Sequence, residues 1–325
     1  MATRSDRTVS SRFIAGENSD LTLKNSSTAQ TTYGLRTLHP AQSDLSAGQQ
    51  YGIKAVDIVA VHGLAGHPVR TWTHDSSGKS WLRDFLPKDL PGARVMTYGY
   101  DSSLVNSKSV MTIMEKAEGL LRELRFRRLS MEEKERPIIF IGHSIGGLLI
   151  KKALTIAKRE EKYNLILRST CGVVLMGVPH DGADIAKLAK RISKIAQVVT
   201  DLGTTNIKDL VEDSRSIQDT ARAFGFLEGF SVVTVNETEK TSVPRSNRKS
   251  ALVVPPASTK LNLGDREKTL SIAGDHRSLP KFPSADDSQY RKLASILQDL
   301  ATQGVVPRGQ YSDERLEPIF FFVIG

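Results

Sequence analysis

The sequence predicts an α/β fold, a mostly parallel sheet with helices on both faces, and three observations carry that prediction. Pro137 to Ile141 (PIIFI) is short, wholly apolar and followed by glycine, as a central parallel strand buried on both faces requires. Ser109 to Arg128 places Val110, Ile113, Met114, Ala117, Leu120, Leu121 and Leu124 on one side of a helical period, which makes an amphipathic helix. Strand-like and helix-like segments also alternate along the chain, the order of βαβ units.

The remaining elements follow in order. Ile53 to Val61 is a β-branched run that ends in His62-Gly63, Ala93 to Tyr100 is a second strand, and a short helix from Trp81 to Leu86 lies between them. After the PIIFI strand, a helix runs from Ile145 to about Arg159. Cys171 to Met176, Phe230 to Val235 and Thr269 to Ala273 read as further strands. Asp286 to Leu300 is a helix with Tyr290, Leu293, Ile296, Leu297 and Leu300 on one face. No repeat at solenoid or propeller spacing is present in the sequence.

Composition bounds the domain organisation. Of 325 residues, 39% are hydrophobic and 25% charged, ordinary for a folded soluble protein and too polar for a multi-span membrane protein. Residues 1–50 are rich in Ser, Thr, Gln and Asn without periodicity and are expected to be a disordered tail. Residues 51–302 form the folded domain, and residues 303–325 are a C-terminal tail or a cut continuation. The longest apolar run, Ile319 to Ile324, falls far short of the ~20 residues that cross a bilayer. It reads as a short docked strand or the abrupt end of a longer chain. Arg4, Arg7 and Arg12 among Ser and Thr resemble a transit peptide, but Asp6, Glu17 and Asp20 oppose that reading, so an intracellular chain with a disordered tail is expected.

Cys171 is the lone cysteine, which excludes an intramolecular disulfide and a multi-thiolate zinc site. A net charge of +9 favours anionic partners. The basic residues are nevertheless dispersed over 122–128, 151–158, 187–194 and 245–249, without the aromatic interleaving or zinc spacing of a nucleic-acid module. Nucleic acid is therefore not an expected partner, and the sequence does not set the oligomeric state.

The motif that carries chemistry is Gly142-His143-Ser144-Ile145-Gly146, a G-x-S-x-G match with an apolar strand before it and an amphipathic helix after it. A nucleophile on a strained strand-to-helix turn needs flanking glycines so that neighbouring backbone can approach. This context predicts the α/β-hydrolase fold with Ser144 as nucleophile. A serine hydroxyl requires a base, and the base requires an acid to orient it. In this fold the chain order is Ser, acid, His, which leaves His180 and His276 downstream of Ser144. His276 follows the last strand, where a loop can reach back over the sheet, and it is taken as the base. His180 comes too early to follow a post-strand acid and is taken as a residue of the pocket or its surroundings. Glu237 stands just after the strand before that histidine and is the candidate acid, with Glu239 and Asp265 as competitors. The oxyanion donors are expected to be the backbone amides of Ile145, next to the nucleophile, and of Leu64 in His62-Gly63-Leu64-Ala65-Gly66.

With these residues in place, the sequence resembles the lipase-like α/β-hydrolases related to the serine active-site containing protein and the GPI inositol-deacylase. Its nearest likeness is to a fungal branch in which such a domain often stands before NACHT, ankyrin or tetratricopeptide regions. The matching segments are DIVAVHGLAGHP (Asp57 to Pro68), TW (Thr71-Trp72), Trp81 to Ser102, IIFIGHSIGGLLIKKAL (Ile138 to Leu154), GVVLMGVPHDGADIA (Gly172 to Ala186) and DHRSLPKF (Asp275 to Phe282). The resemblance implies Ser144 and His276 as catalytic residues and Glu237 as the acid, although the family usually has an aromatic where Asn236 stands. It further implies hydrolysis of esters or lipid esters, no cofactor, and association with mitochondrial or endoplasmic-reticulum membranes.

The substrate expectation has one further support in the sequence. Ile185 to Val199 sets Ile185, Leu188, Ile192, Ile195 and Val199 opposite Lys187, Lys190, Arg191 and Lys194. Such a helix either packs on the domain with its lysines in water or serves as a lid making peripheral membrane contact. Two competing functions stay open: a signalling module on a hydrolase scaffold, and a peptidase using the same catalytic group.

Overall fold

The structure, a computed structural model, describes residues 33–39, 55–102, 113–180, 190, 194–195, 214–241 and 252–304. All of them belong to one compact unit, Thr32–Gly325. Its centre is a seven-stranded sheet of order β1-β3-β2-β4-β5-β6-β7. The strands are β1 (Gly34–His39), β2 (Val56–Val61), β3 (Ala93–Gly99), β4 (Ile138–His143), β5 (Thr170–Met176), β6 (Ser231–Glu237) and β7 (Glu267–Ile272). β2 to β7 are parallel to their neighbours, and β1 lies antiparallel against β3. The expected α/β architecture is the one observed.

Each central strand serves two cores because successive side chains point to opposite faces. On one face Val59, Val61, Ile138, Phe140, Val173, Leu175 and Val232 meet three helices. These are α1 (Ile113–Arg127), α2 (Ile145–Arg159) and α3 (Ser214–Gly225). On the other face Ile58, Ala60, Ile139, Ile141, Val174 and Val233 pack under Trp72, Trp81, Phe282 and α4 (Ser288–Gln303). Burial at roughly 1.5–3 kcal/mol for each large apolar side chain makes this alternation the main source of stability. Helix α4 begins at Asp287, whose carboxylate accepts from the amides of Gln289 and Tyr290. Trp81 is pinned beneath it by an indole N–H donated to Pro280 O at 2.9 Å.

Two expectations meet corrections or limits. Gly34–His39 is a strand inside the stretch 1–50 expected to be a disordered tail, so ordered structure begins before Gly52. Six residues with Leu35 buried and polar neighbours carry too little periodicity to be read alone, and the strand is held by its ladder to β3. The basic helix expected over Ile185 to Val199 and the run Ile319 to Ile324 lie outside the described residues, apart from residues 190 and 194–195. Among the described residues, no helix is long and apolar enough to cross a membrane.

Candidate active site

The parallel registers bring Ser144 and Glu237 to one edge of the sheet. Gly142 and His143 of β4 lie opposite Leu175 and Met176 of β5, while Met176 pairs with Val235 of β6. The Ser144 amide then donates to Met176 O at 2.9 Å, so the turn after β4 is fixed to the end of β5. Ser144 itself has φ 54° and ψ −127°, a conformation L residues avoid, and α2 starts at the next residue. Strain of this kind costs about 1–3 kcal/mol and persists only where the surroundings impose it.

Here the surroundings are two tightly packed loops. A Cβ on Gly146 would lie 2.3 Å from Val61 O, and one on Gly63 would lie 2.8 Å from Ser144 Cβ. Only glycine permits that approach, and it brings the 62–66 loop against the elbow. His62 braces the loop: its ring stacks on Tyr100 at 4.5 Å, and Nδ1 lies 2.9 Å from Gly63 O. The Tyr100 hydroxyl donates to His62 O at 2.8 Å. Among the described residues, neither the Leu64 nor the Ile145 amide donates to a protein acceptor.

His276 lies four residues beyond β7 and reaches back over the sheet edge. Its Nε2 is 3.1 Å from Ser144 Oγ, and its Nδ1 is 3.0 Å from Glu237 Oε2. All three side chains are buried. With Nδ1–H donated to the carboxylate, Nε2 is left to accept from the serine hydroxyl. The main chain of His276 is held as well, its N–H donating to Thr241 Oγ1 at 3.1 Å and its carbonyl accepting from His143 Nε2 at 2.9 Å. The second oxygen of Glu237 is also occupied: Oε1 accepts from the amides of Val253 and Val254, the latter at 2.8 Å.

The structure thus brings together Ser144, His276 and Glu237, and packs the 62–66 loop against the elbow. The competitors are elsewhere, Glu239 lying exposed on a loop and Asp265 exposed in the 3-10 turn Gly264–Arg266. His180 is not at Ser144; its Nδ1 lies 2.9 Å from the amine of Lys151. Three contributors escaped the sequence reading. His143 supports the backbone of His276, the 253–259 segment grips Glu237, and Asn236 accepts from Thr259 Oγ1. The Pro255-Pro256 pair was the one local mark of a stiff segment there.

Burial sets the electrostatics of the surrounding rings. It pushes His62 down to about 4, against the hydrogen bond to Gly63 O that pulls the other way. Burial also pushes His143 down to about 3, with neighbouring His276 adding to the effect. Both are neutral imidazoles at physiological pH and act through hydrogen bonds and packing. Among the described residues, no cluster of His, Cys, Asp and Glu could hold a metal ion.

A scan against protein-family models finds no match. Among curated proteins the chain is similar to vertebrate proteins named SERAC1. It is 28% identical over 292 residues to that of Mus musculus and 26% identical over 289 residues to that of Bos taurus, each across 82% of this chain. The chain spans 42% and 41% of the length of those two relatives, respectively. Among solved structures, the mature lipase BlEst2 of Bacillus licheniformis superposes with a TM-score of 0.51 at 15% identity, covering 82% of this chain and 97% of the lipase. The chain has the α/β-hydrolase fold. The narrower resemblance expected from the sequence is corrected by these relatives: they are vertebrate SERAC1 proteins, not fungal proteins or GPI inositol-deacylases. Motifs shared by many hydrolases carried that narrower reading, and they fix the fold more tightly than the branch. Together, the fold and the contacts of Ser144, His276 and Glu237 support hydrolase-type catalytic capability.

Proposed function

We propose that this chain is a serine hydrolase of carboxylic esters, lipid esters in particular, working through an acyl-enzyme on Ser144. The observation that carries the reading is the continuous chain Ser144 Oγ, His276 Nε2, His276 Nδ1 and Glu237 Oε2, with links of 3.1 and 3.0 Å. As Oγ attacks the ester carbonyl carbon, His276 takes its proton and Glu237 stabilises the imidazolium that forms. The carbonyl oxygen becomes an oxyanion held by the amides of Leu64 and Ile145, each typically worth roughly 10²–10³ in rate. Collapse expels the alcohol, which receives the proton from His276 and leaves the acyl group on Ser144. Water, deprotonated by His276, attacks that acyl group in turn; the acid leaves, and the proton returns to Ser144. The lipase that shares the fold lends support to the lipid-ester part of the reading.

The test is labelling with a fluorophosphonate, followed by turnover of p-nitrophenyl esters of increasing chain length. The wild-type protein is expected to label and to cleave esters, while Ser144→Ala and His276→Ala lose both and still fold. Full labelling of Ser144→Ala would overturn the assignment of the nucleophile. A turnover that falls steadily from the shortest ester to the longest would overturn the lipid-ester preference alone.

A further inference from the structure

Lys151 and His180 take no part in the mechanism above, yet they form a costly arrangement. Lys151 lies seven residues after Ser144, about two turns along α2 and on the same face. Its side chain is fully buried at 1% exposure, and its amine lies 2.9 Å from Nδ1 of His180, itself only 6% exposed. Among the described residues, no carboxylate pairs with this amine, and His180 Nε2 is buried without a hydrogen-bond partner. Burial pushes the amine down to about 7 and lowers His180 well below the usual imidazole range. A buried amine without a counter-ion weakens the fold relative to an apolar residue of similar size. Local rules broken in this way concentrate at functional sites.

What the pair holds is visible from the His180 backbone. Its N–H donates to Ser258 O at 2.6 Å. Ser258 sits at one end of a stiff segment, Val253-Val254-Pro255-Pro256-Ala257-Ser258-Thr259, in which Pro256–Thr259 is a single helical turn and Ser258 N–H donates to Pro255 O at 2.8 Å. Two consecutive prolines fix φ between the ends, so movement at Ser258 is passed to Val254 rather than absorbed. The other end grips the catalytic edge, where the Val253 and Val254 amides donate to Glu237 Oε1, while Thr259 Oγ1, next to Ser258, donates to Asn236.

We infer that Lys151 and His180 are positioning residues for Glu237, anchoring the 253–259 strap whose amides hold the carboxylate with Oε2 turned to His276. The inference rests on the proposed role of Glu237 as the acid. Lys151 N–H donates to Nδ1 whether the amine is neutral or charged, so His180 stays in one orientation across neutral pH. The pair thereby exchanges stability for a fixed acid.

Lys151→Met, which keeps volume and helix propensity but removes the donor, tests this against Lys151→Gln, which keeps a donor. Three quantities are read: kcat and KM for p-nitrophenyl butyrate, Tm, and hydrogen exchange of the 252–260 backbone. Lys151→Met is expected to lower kcat tenfold or more with KM within twofold, to leave Tm unchanged or higher, and to speed exchange in 252–260. Lys151→Gln is expected to recover most of kcat and of the protection. Wild-type kcat or unchanged exchange in Lys151→Met overturns the inference, as does a kcat loss matched by a fall in Tm. Absence of fluorophosphonate labelling in the wild-type protein would instead strike the hydrolase reading. The exchange measurement would then still decide whether the pair holds the strap.

Discussion

Two carboxylates, Asp57 and Glu237, are completely buried at opposite edges of the same sheet and are satisfied in opposite ways. Asp57, at the start of β2, is surrounded by fixed positive charge. Arg94 holds both its oxygens at 2.9 Å, Arg128 donates to Oδ2, and Arg136 stands 3.8 Å away. Among the described residues, Glu237, at the end of β6, meets two backbone amides and one imidazole. Guanidinium groups stay charged and keep their protons, so the Asp57 edge is an electrostatic clamp with one state. An imidazole can gain a proton and lose it, so under the proposed mechanism the Glu237 edge has two states separated by the proton of Ser144. The difference teaches that a buried acid becomes a candidate for chemistry through the titratability of its partner rather than through burial itself.

Substituting each acid by its amide should separate the two roles, and the larger effect belongs to Glu237. Glu237→Gln keeps shape but loses the charge that stabilises the imidazolium, so kcat should fall roughly 10³ to 10⁴-fold with the fold intact. Steady-state kinetics on the p-nitrophenyl esters would measure it. A loss under tenfold would remove Glu237 from the acid's place and erase the contrast with Asp57. Asp57→Asn should do the reverse. It leaves Arg128 buried without the carboxylate it pairs with and Arg94 with Glu133 as its remaining partner, a change worth about 3–5 kcal/mol of stability. Urea unfolding should show that loss, while kcat of the protein still folded stays within about twofold. A stable Asp57→Asn variant with impaired turnover would mean that the two edges are coupled.

The same contrast explains what the sequence made legible. The sheet could be read because each central strand is a short apolar run between helices of clear period, and Ser144 because glycines bracket it at a strand end. His276 and Glu237 followed from chain order and strand ends alone. The Asp57 clamp was invisible because its arginines come from positions 94, 128 and 136, which only the fold brings to one carboxylate. The 253–259 strap was missed for a related reason: backbone amides donate to Glu237, and every residue but proline has one. Asn236 proves to be a hydrogen-bond acceptor for that strap. Strand β1 escaped because an edge strand of six residues depends on its partner more than on its own pattern.

The smallest effect expected concerns pH and sharpens the comparison at the Ser144 edge. His62 and His143 are held neutral there, pushed by burial to about 4 and about 3. Their folded values lie below the unfolded value of ~6.5, so the unfolded chain takes up protons first as pH falls. Stability from these two rings is complete above pH ~6.5 and is lost progressively as pH descends toward their folded values, by at most about 1.4 kcal/mol per pH unit for each. Urea midpoints between pH 7 and 4.5 would follow that decline. Attribution comes from His62→Phe, which keeps a ring to stack on Tyr100 but cannot titrate, and should give a shallower slope than the wild-type protein. An equal slope would mean that His62 gains its proton without opposing the fold. The 62–66 loop it braces would then tolerate a charge beside Ser144, and the neutrality that distinguishes this edge from the Asp57 edge would be lost.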